Sequence, residues 1–336
     1  MSLIKTPRIY LGTMTFGWNQ ASSAVDSTIA SEMVKKFIER GGKHIDTARI
    51  YAAGETEPLV GAAISGFDVI LGTKAAPSQP GGLSPSGIQS QLDASMKALC
   101  VNQLDEYYLH QPDTKHSLLE SLKKTHELVQ SGKIKSVGLS NYHADEVKRC
   151  FALCEEHGLT KPTVFQGLYN PLNRAVEETL LPILRQNNCS FVAYNPLAAG
   201  LLTGKHTNHN EVITGRFKDN PNYLPRFYTP QCFAAVESIK NACEAAGISM
   251  TDATYRWLLL HSELSHNDGL LLGASSIEQL EQNLNACSVT DADDLKLPPA
   301  VLEAMNSAWD ITKEGAFDYF RSYSSDMPDR EQRPQV

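Results

Sequence analysis

The stretch "IKSVGLSNYHADEVKRCFALCEEHG", residues 134–158, decides the fold. Its short apolar run over 134–140 predicts a buried strand, and the longer stretch over 143–158 predicts a helix. The same order, a short apolar run followed by a longer helical stretch, recurs along the chain. Alternating strands and helices are typical of a parallel sheet whose strands are connected by helices.

Eight apolar runs of this kind are present. They are "IYLGTM" (9–14), "HIDTA" (44–48), "DVILGTK" (68–74), "LDEYYLH" (104–110), "IKSVGLS" (134–140), "TVFQGLY" (163–169), "SFVAYNP" (190–196) and "LLLGAS" (270–275). Eight repeats favour an α/β fold of the closed (β/α)8 type, the TIM barrel. A doubly wound open sheet is the alternative, but it usually has fewer strands, and no GxGxxG motif follows any of these runs.

Helix signals are clear in the first helical stretch, residues 26–42. Asp26 or Ser27 can cap its start, and the pair Gly41 and Gly42 can end it. Further helices are predicted at 117–133, 143–158, 176–188, 230–247, 250–262 and 277–287, with a last helix before residue 312.

Two segments depart from the repeat. Residues 205–230 form a long polar loop after the seventh strand, and loops of this length are usually functional or mobile. The tail, residues 311–336, is expected to fold over the mouth of the barrel and then fray. We expect one domain over residues 1–336, with the barrel core at about 8–310.

Composition narrows the class of protein. The 336 residues carry a formal net charge of −8 and contain no run of lysines or arginines, so nucleic acid is not an expected partner. The seven cysteines form no CxxC motif, which favours a reducing, cytoplasmic location. We also expect neither a signal segment nor a membrane span, because no apolar stretch approaches the roughly 20 residues that a span requires.

Polar side chains follow the predicted strands. In a barrel of this type the active site lies at the C-terminal ends of the strands. Reading those ends in order gives Asp46 with Tyr51 just beyond it, Lys74, His110, Ser140, Asn141, Gln166, Tyr194, Asn195 and the "GASS" stretch at 273–276.

Four of these residues form a chemical set. A tyrosine hydroxyl has a pKa of about 10 and is a poor acid near neutrality, but a nearby ammonium favours the phenolate. Lys74 can supply that charge, and Asp46 can hold Lys74 as an ion pair. His110 can orient a substrate oxygen. Together they would direct the Tyr51 proton to an oxyanion, as hydride attack on a carbonyl requires.

The motifs resemble the aldo-keto reductase family over residues 9 to about 310. The matching stretches are "DTARIY" (46–51), "GTK" (72–74), "YLH" (108–110), "GLSN" (138–141) and "AYNPLAAGLLTGK" (193–205). The resemblance implies that Tyr51 is the general acid of an NADPH-dependent carbonyl reductase, with Asp46, Lys74 and His110 in support.

The resemblance also implies a cofactor path. Asp46, Ser140, Asn141 and Gln166 would hold the nicotinamide, and Tyr194 would stack on its ring. The stretch from Asn195 to Lys205, with Leu197, Gly200 and Leu201, would wrap the pyrophosphate. Residues Gly273, Ser275, Ser276, Gln279, Gln282 and Asn283 would surround the adenosine end.

The sequence departs from the family where many members grip the 2′-phosphate. "GASSIEQLEQN" (273–283) contains no cation, so Lys205 and Arg216 in the long loop are the predicted phosphate ligands of NADPH. The same stretch and "DYFRSYSS" (318–325) look most similar to the branch of aflatoxin-aldehyde and succinic semialdehyde reductases, where dimers occur.

Substrate contacts are expected from Met14, Trp18 and Arg321, and the resemblance implies that Arg321 meets an acidic group. Trp18 follows the first strand end, where a pocket wall and simple packing are equally plausible. Arg49 is expected to have only a surface or salt-bridge role. His206 and His209 lack a third ligand, so we expect no metal.

Two other functions stay open at this point. Lys74 could form a Schiff base in a lyase or aldolase of the same barrel class. The chain could also be a non-catalytic accessory subunit that binds cofactor and partner, since such subunits can keep the four residues.

Overall fold

The chain forms a closed barrel of eight parallel strands in the computed structural model, as the repeat predicts. The structure describes residues 5–18, 23–206, 217, 223–288 and 296–333. The strands are β1 (Arg8–Gly12), β2 (His44–Asp46), β3 (Ile70–Ala75), β4 (Leu104–Leu109), β5 (Ile134–Ser140), β6 (Val164–Leu168), β7 (Ser190–Tyr194) and β8 (Gly269–Gly273). Each predicted apolar run overlaps one of them, and β1, β3 and β8 extend one residue beyond their runs.

The register closes the barrel and aligns the strand ends. β1 pairs with β2 and with β8, so that Gly12 lies opposite both Asp46 and Gly273. Ser140 lies opposite Gln166 in the pair of β5 and β6. Because all strands run in one direction, the polar residues that follow them meet at one end.

Helices surround the strands. They are α1 (Ser27–Glu39), α2 (Thr56–Ala63), α3 (Pro85–Leu99), α4 (Leu118–Gln130), α5 (Ala144–Glu156), α6 (Val176–Thr179), α7 (Leu181–Gln186), α8 (Leu224–Phe227), α9 (Pro230–Ala246), α10 (Met250–Arg256), α11 (Ile277–Cys287) and α12 (Pro299–Thr312). Asp26 caps α1, since its side chain accepts from the backbone of Thr28 and Ile29.

Four helical assignments differ from the sequence expectation. The sequence patterns did not single out α2 and α3. α2 lacks a clear apolar stripe, and α3 contains several serines and a glycine, which have low helix propensity. The single helix expected at 176–188 is broken into α6 and α7, because Pro182 has no N–H with which to continue the first helix. The expected loop at 205–230 contains the short helix α8.

The inside of the barrel is partly polar. Tyr10 and Tyr108 donate from their hydroxyls to the two carboxylate oxygens of Glu106, at 3.0 and 2.6 Å. A β-carbon at Gly138 would lie 2.3 Å from the Tyr108 ring, so a residue without a side chain is required beside it. These residues fill the barrel beneath the strand ends.

The tail crosses the mouth of the barrel, as expected. Arg321 donates its backbone N–H to the carbonyl of Asn141, at the end of β5, over 2.8 Å. Asp326 then accepts from Arg149 on α5 and from Ser117 and Leu118 at the start of α4. The described tail, up to residue 333, is therefore anchored beyond the barrel mouth by buried and charged groups.

Candidate active site

A cavity of about 490 Å³ opens at the C-terminal ends of the strands. Its lining includes most of the residues that the sequence places in a site: Met14, Trp18, Asp46, Tyr51, His110, Ser140, Asn141, Gln166, Tyr194, Asn195, Leu197, Gly200, Lys205, Gly273, Ser275, Gln279, Gln282, Asn283 and Arg321. Residues from all parts of the chain thus meet in one continuous depression.

Three predicted site residues are placed differently, and a fourth is not among those that the structure describes. Leu201 is fully buried in the hydrophobic core, and Ser276 caps α11 through a hydrogen bond to the backbone of Gln279, so neither is part of the described cavity wall. Lys74 lies behind the wall, with no exposed surface. Arg216 lies outside the described residues.

Lys74 and Asp46 form an ion pair beneath the cavity. The ammonium donates to both Asp46 carboxylate oxygens, at 2.7 and 2.6 Å, and to the carbonyl of Thr47 at 2.8 Å. These three bonds use all three donors of the ammonium. Burial lowers the pKa of Lys74, and the charge of Asp46 opposes that effect.

Tyr51 lies directly above this ion pair. The Lys74 nitrogen is 5.3 Å from the centre of the Tyr51 ring, and the His110 ring meets it edge-on with 6.0 Å between centres. Tyr51 begins a 3₁₀ turn in which Ala52, Ala53 and Gly54 all have positive φ, at 45°, 55° and 100°. The turn carries the ring back over the strand ends.

His110 borders the same space as a neutral ring. Burial, and then the positive charges of Lys74 and Arg321, lower its pKa to about 3. A neutral imidazole carries one N–H donor, so His110 can donate one hydrogen bond to a substrate oxygen without competing for the proton.

Amide and hydroxyl groups lie beside these residues. Gln166 donates from its amide to Asp46 over 2.9 Å. Asn141 donates from its amide to the carbonyl of His110 and to the hydroxyl of Ser140, and it accepts from the hydroxyl of Tyr194 at 2.9 Å. This network holds the ring of Tyr194 at the cavity wall.

The segment from Asn195 to Lys205 forms the next part of the wall. The backbone turns sharply here, because four residues have positive φ. The angles are 53° at Asn195, 49° at Ala198, 57° at Ala199 and 107° at Gly200. Such turns point backbone N–H groups to one side and suit anions. Lys205 at its end adds a positive charge at the cavity.

The far end of the cavity is uncharged but polar. Gln279 accepts from the backbone and hydroxyl of Ser275, at 3.0 and 3.1 Å, and Asn283 donates to the carbonyl of Gly273. Thr251 and Tyr255, which no sequence pattern indicated, also line the cavity. Groups of this kind can bind the hydroxyls and ring nitrogens of a nucleoside.

Arg226 is a further charged residue of the site that no sequence pattern singled out. Its guanidinium lies 4.9 Å from the centre of the Phe317 ring, and the guanidinium of Arg321 lies 4.7 Å from the same ring. Both arginines line the cavity, and so does Tyr223. The signal was present, because Arg226 is flanked by aromatic residues in "YLPRFY" just as Arg321 is in "DYFRSY".

Other side chains were also placed by the structure. Trp257 is fully buried and packs near Tyr169 in the core. Among the described residues, no group of three His, Cys, Asp or Glu side chains could hold a metal ion. No helix within the described ranges combines the length and apolar character needed to cross a membrane.

Fold and site together define a barrel enzyme with a cavity at the strand ends, above a buried Lys–Asp pair. The chain belongs to the aldo/keto reductase family, whose model matches residues 8–297. It is 39% identical to Aldo-keto reductase family 7 member A3 of Homo sapiens over 332 residues, covering 94% of this chain and 97% of that protein. 

Two further relatives span similar lengths. Aflatoxin B1 aldehyde reductase member 2 of Rattus norvegicus is 39% identical over 332 residues, covering 94% of this chain and 88% of the relative. Oxidoreductase sirO of Leptosphaeria maculans is 34% identical over 325 residues, covering 93% and 97%. The chain is therefore an oxidoreductase that reduces the carbonyl group of aldehydes or ketones with a nicotinamide dinucleotide.

Proposed function

We propose that the chain is an NADPH-dependent reductase in which Tyr51 is the general acid and Asp46, Lys74 and His110 support it. The observation that carries this proposal is the position of the buried Lys74 ammonium, held by Asp46 and 5.3 Å from the centre of the Tyr51 ring. A positive charge at that place stabilises the phenolate that remains after Tyr51 has given up its proton.

The residues along the cavity fit a nicotinamide dinucleotide. Ser140, Asn141 and Gln166 offer amide and hydroxyl groups for the carboxamide, and the ring of Tyr194 offers a flat apolar surface beside them. The turns between Asn195 and Lys205 suit the pyrophosphate. The polar end at Ser275, Gln279, Gln282 and Asn283 suits the adenosine.

Each group then has one task in the reaction. When bound, the cofactor supplies a hydride to the carbonyl carbon. Tyr51 donates its hydroxyl proton to the carbonyl oxygen, and His110 donates a hydrogen bond that orients this oxygen. Asp46 keeps the Lys74 ammonium in place, and the proton lost by Tyr51 is replaced from solvent through the open cavity.

The preference for NADPH rests on charge. A 2′-phosphate needs compensating cations, and the adenosine end from Gly273 to Asn283 contains none. Lys205 lines the cavity, and Arg216 remains the second proposed ligand. Arginine suits phosphate because its planar fork donates two parallel hydrogen bonds.

An acidic aldehyde is the proposed substrate class. Arg321 and Arg226 place two positive charges at the cavity, whose lining also includes Met14 and Trp18. A carboxylate on the substrate could form ion pairs with these two guanidinium groups. The names of two relatives refer to aflatoxin B1 aldehyde, which supports an aldehyde as the reacting group.

The alternatives find less support. A Schiff base requires an exposed, neutral lysine, whereas Lys74 has no exposed surface and donates three hydrogen bonds. An activity assay distinguishes an enzyme from an accessory subunit, which would show no turnover. A steady-state screen of acidic, aromatic and aliphatic aldehydes with NADPH and NADH tests the proposal, and absence of turnover with every aldehyde would favour the accessory role.

Three broader expectations remain proposals. We propose that residues 1–336 form one domain, that the protein works in the cytoplasm, and that it forms a homodimer as the resembled branch does. All seven cysteines are unpaired, which supports a reducing compartment. Sedimentation of the purified protein at several concentrations tests the dimer.

A further inference from the structure

The turn that carries Tyr51 has an unfavourable backbone. Ala52 and Ala53 both adopt left-handed dihedral angles, with φ of 45° and 55°, and Gly54 follows at 100°. Alanine avoids this region because its β-carbon approaches the backbone too closely. Consecutive residues of this kind persist only where the surrounding structure holds them in place.

A buried carboxylate joins both sides of this turn. Glu57, the second residue of α2, has no exposed side-chain surface. One of its oxygens accepts from the guanidinium of Arg49 at 2.6 Å, and the other accepts from the hydroxyl of Thr73 at 2.8 Å. Arg49 precedes Tyr51 by two residues, and Thr73 immediately precedes Lys74.

The guanidinium of Arg49 also lies against the turn itself. A β-carbon at Gly54 would come within 2.9 Å of its terminal nitrogen, so glycine leaves the space that the guanidinium needs. The backbone N–H of Arg49 donates to the carbonyl of Lys74 at 3.3 Å. Arg49 is therefore in contact with the turn and with β3 at the same time.

We propose that Arg49 and Glu57 are positioning residues that set the separation between the Tyr51 ring and the Lys74 ammonium. Arg49 and Thr73 meet on one carboxylate, and each neighbours one member of the catalytic pair. Arg49, Glu57 and Thr73 thus form a clamp. If this clamp shifted, the Tyr51 ring would move relative to the Lys74 ammonium. The inference rests on the proposed role of Tyr51, and it adds a positioning role to the surface or salt-bridge role expected of Arg49 from the sequence.

The structure offers a matched control at the opposite end of the barrel. Arg185 donates to both oxygens of Asp268 at 2.7 Å. In each pair the carboxylate side chain is fully buried and the arginine is partly exposed, at 23% for Arg49 and 37% for Arg185. Arg49→Met and Arg185→Met therefore each remove an arginine from a buried carboxylate, near the site and far from it.

The experiment measures both variants beside the wild type, together with Tyr51→Phe and the double variant Arg49→Met/Tyr51→Phe. Small misplacements of reacting groups can reduce rates by about a hundredfold. We expect Arg49→Met to lower kcat about tenfold or more and to move the alkaline limb of the kcat/KM profile, with the Kd for NADPH changed less than threefold. Arg185→Met should lose similar thermal stability and keep its kcat.

The double variant identifies the path of the effect. If Arg49 acts through Tyr51, the double variant should be no slower than Tyr51→Phe alone, because the clamp then has no proton donor to position. Additive losses, or an Arg49→Met enzyme as active as Arg185→Met, would overturn the inference. Should Arg49→Met not fold, Arg49→Lys and Glu57→Gln decide by the same readouts.

Failure of the proposed function looks different. A Tyr51→Phe enzyme with nearly full turnover would remove Tyr51 from the acid role, and the positioning inference would fall with it. A severe Tyr51→Phe defect beside a fully active Arg49→Met leaves the acid role intact and refutes the clamp alone.

Discussion

The Lys74 ammonium lies 2.6 Å from a carboxylate oxygen of Asp46, and neither side chain exposes more than 2% of its surface. Both groups come from neighbouring strand ends, where β2 and β3 run side by side. The attraction between two buried opposite charges offsets the cost of removing them from water, whereas one of them alone would be costly to bury.

Lys74→Met tests this pair. Removal of the lysine leaves the Asp46 carboxylate buried without its partner, so the free energy of unfolding should fall by about 3–5 kcal/mol and turnover should be nearly lost. Urea denaturation and steady-state rates measure both effects. As a control, Lys35→Met removes an exposed pair with Glu39 and should cost less than about 1 kcal/mol. Equal costs for the two variants would contradict the prediction.

Tyr51→Phe separates proton donation from cofactor binding. The variant keeps the ring and loses the hydroxyl, so kcat should fall by about 10²–10⁴-fold, the usual contribution of a general acid. Binding of NADPH, followed by its fluorescence, should stay near that of the wild type. Normal binding with a loss of activity below tenfold would show that another group donates the proton.

Arg321→Ala tests recognition of a substrate carboxylate. A hydrogen bond to a charged group contributes about 1.5–3 kcal/mol, so kcat/KM for succinic semialdehyde should fall by roughly ten- to a hundredfold, through KM. A neutral aldehyde such as 4-nitrobenzaldehyde serves as the control and should be little affected. Arg226→Ala should show the same selectivity, since both guanidiniums lie against Phe317. Equal losses with both substrates would point to packing of the tail instead.

Cofactor preference tests the proposed phosphate ligands. The wild type should bind NADPH more tightly than NADH, and this difference should shrink as salt rises, because ions screen partly exposed charges. Arg216→Ala should weaken NADPH binding by about 1.5–3 kcal/mol and leave NADH binding nearly unchanged. Lys205→Ala should act in the same direction. Equal dissociation constants of the two cofactors for the wild type would exclude this assignment.

Asp326 should make the tail anchor sensitive to acid. Burial opposes ionisation of its carboxyl, but hydrogen bonds from Arg149, Leu118 and Ser117 outweigh it and lower the pKa of Asp326 to about 2. A carboxyl whose pKa is lowered by folding stabilises the folded state. This stabilisation is fully present above the pKa of an aspartate in the unfolded chain, near 3.9, and it disappears as pH falls through about 2.

Asp326→Asn measures this contribution. The free energy of unfolding of the variant should be about 1–2 kcal/mol lower than that of the wild type at pH 6, and the difference should shrink between pH 4 and pH 2. Asp310→Asn, which affects an exposed pair with Lys313, is the control. A difference that stays constant from pH 6 to pH 2 would contradict the lowered pKa of Asp326.

Much of the barrel could be read from local patterns. Apolar runs and the helix signals at Asp26 and Gly41 depend on neighbouring residues only, so all eight strands were predicted. α2 was not, because its buried face includes the polar residues Thr56 and Glu57, which interrupt the apolar stripe. Pro182 should have predicted the break between α6 and α7, since its missing N–H is a local property.

The candidate site, like the fold, was predicted only in part from the sequence. The sequence by itself determined that Asp46, Lys74 and His110 end strands of a parallel barrel, and this places them at one rim because the strands share a direction. Only the tertiary structure decided that Arg226 meets Arg321 across Phe317, and that Glu57 joins Arg49 to Thr73. These contacts join residues on separate elements, and their distances depend on how loops and helices pack, which no local pattern of residues specifies.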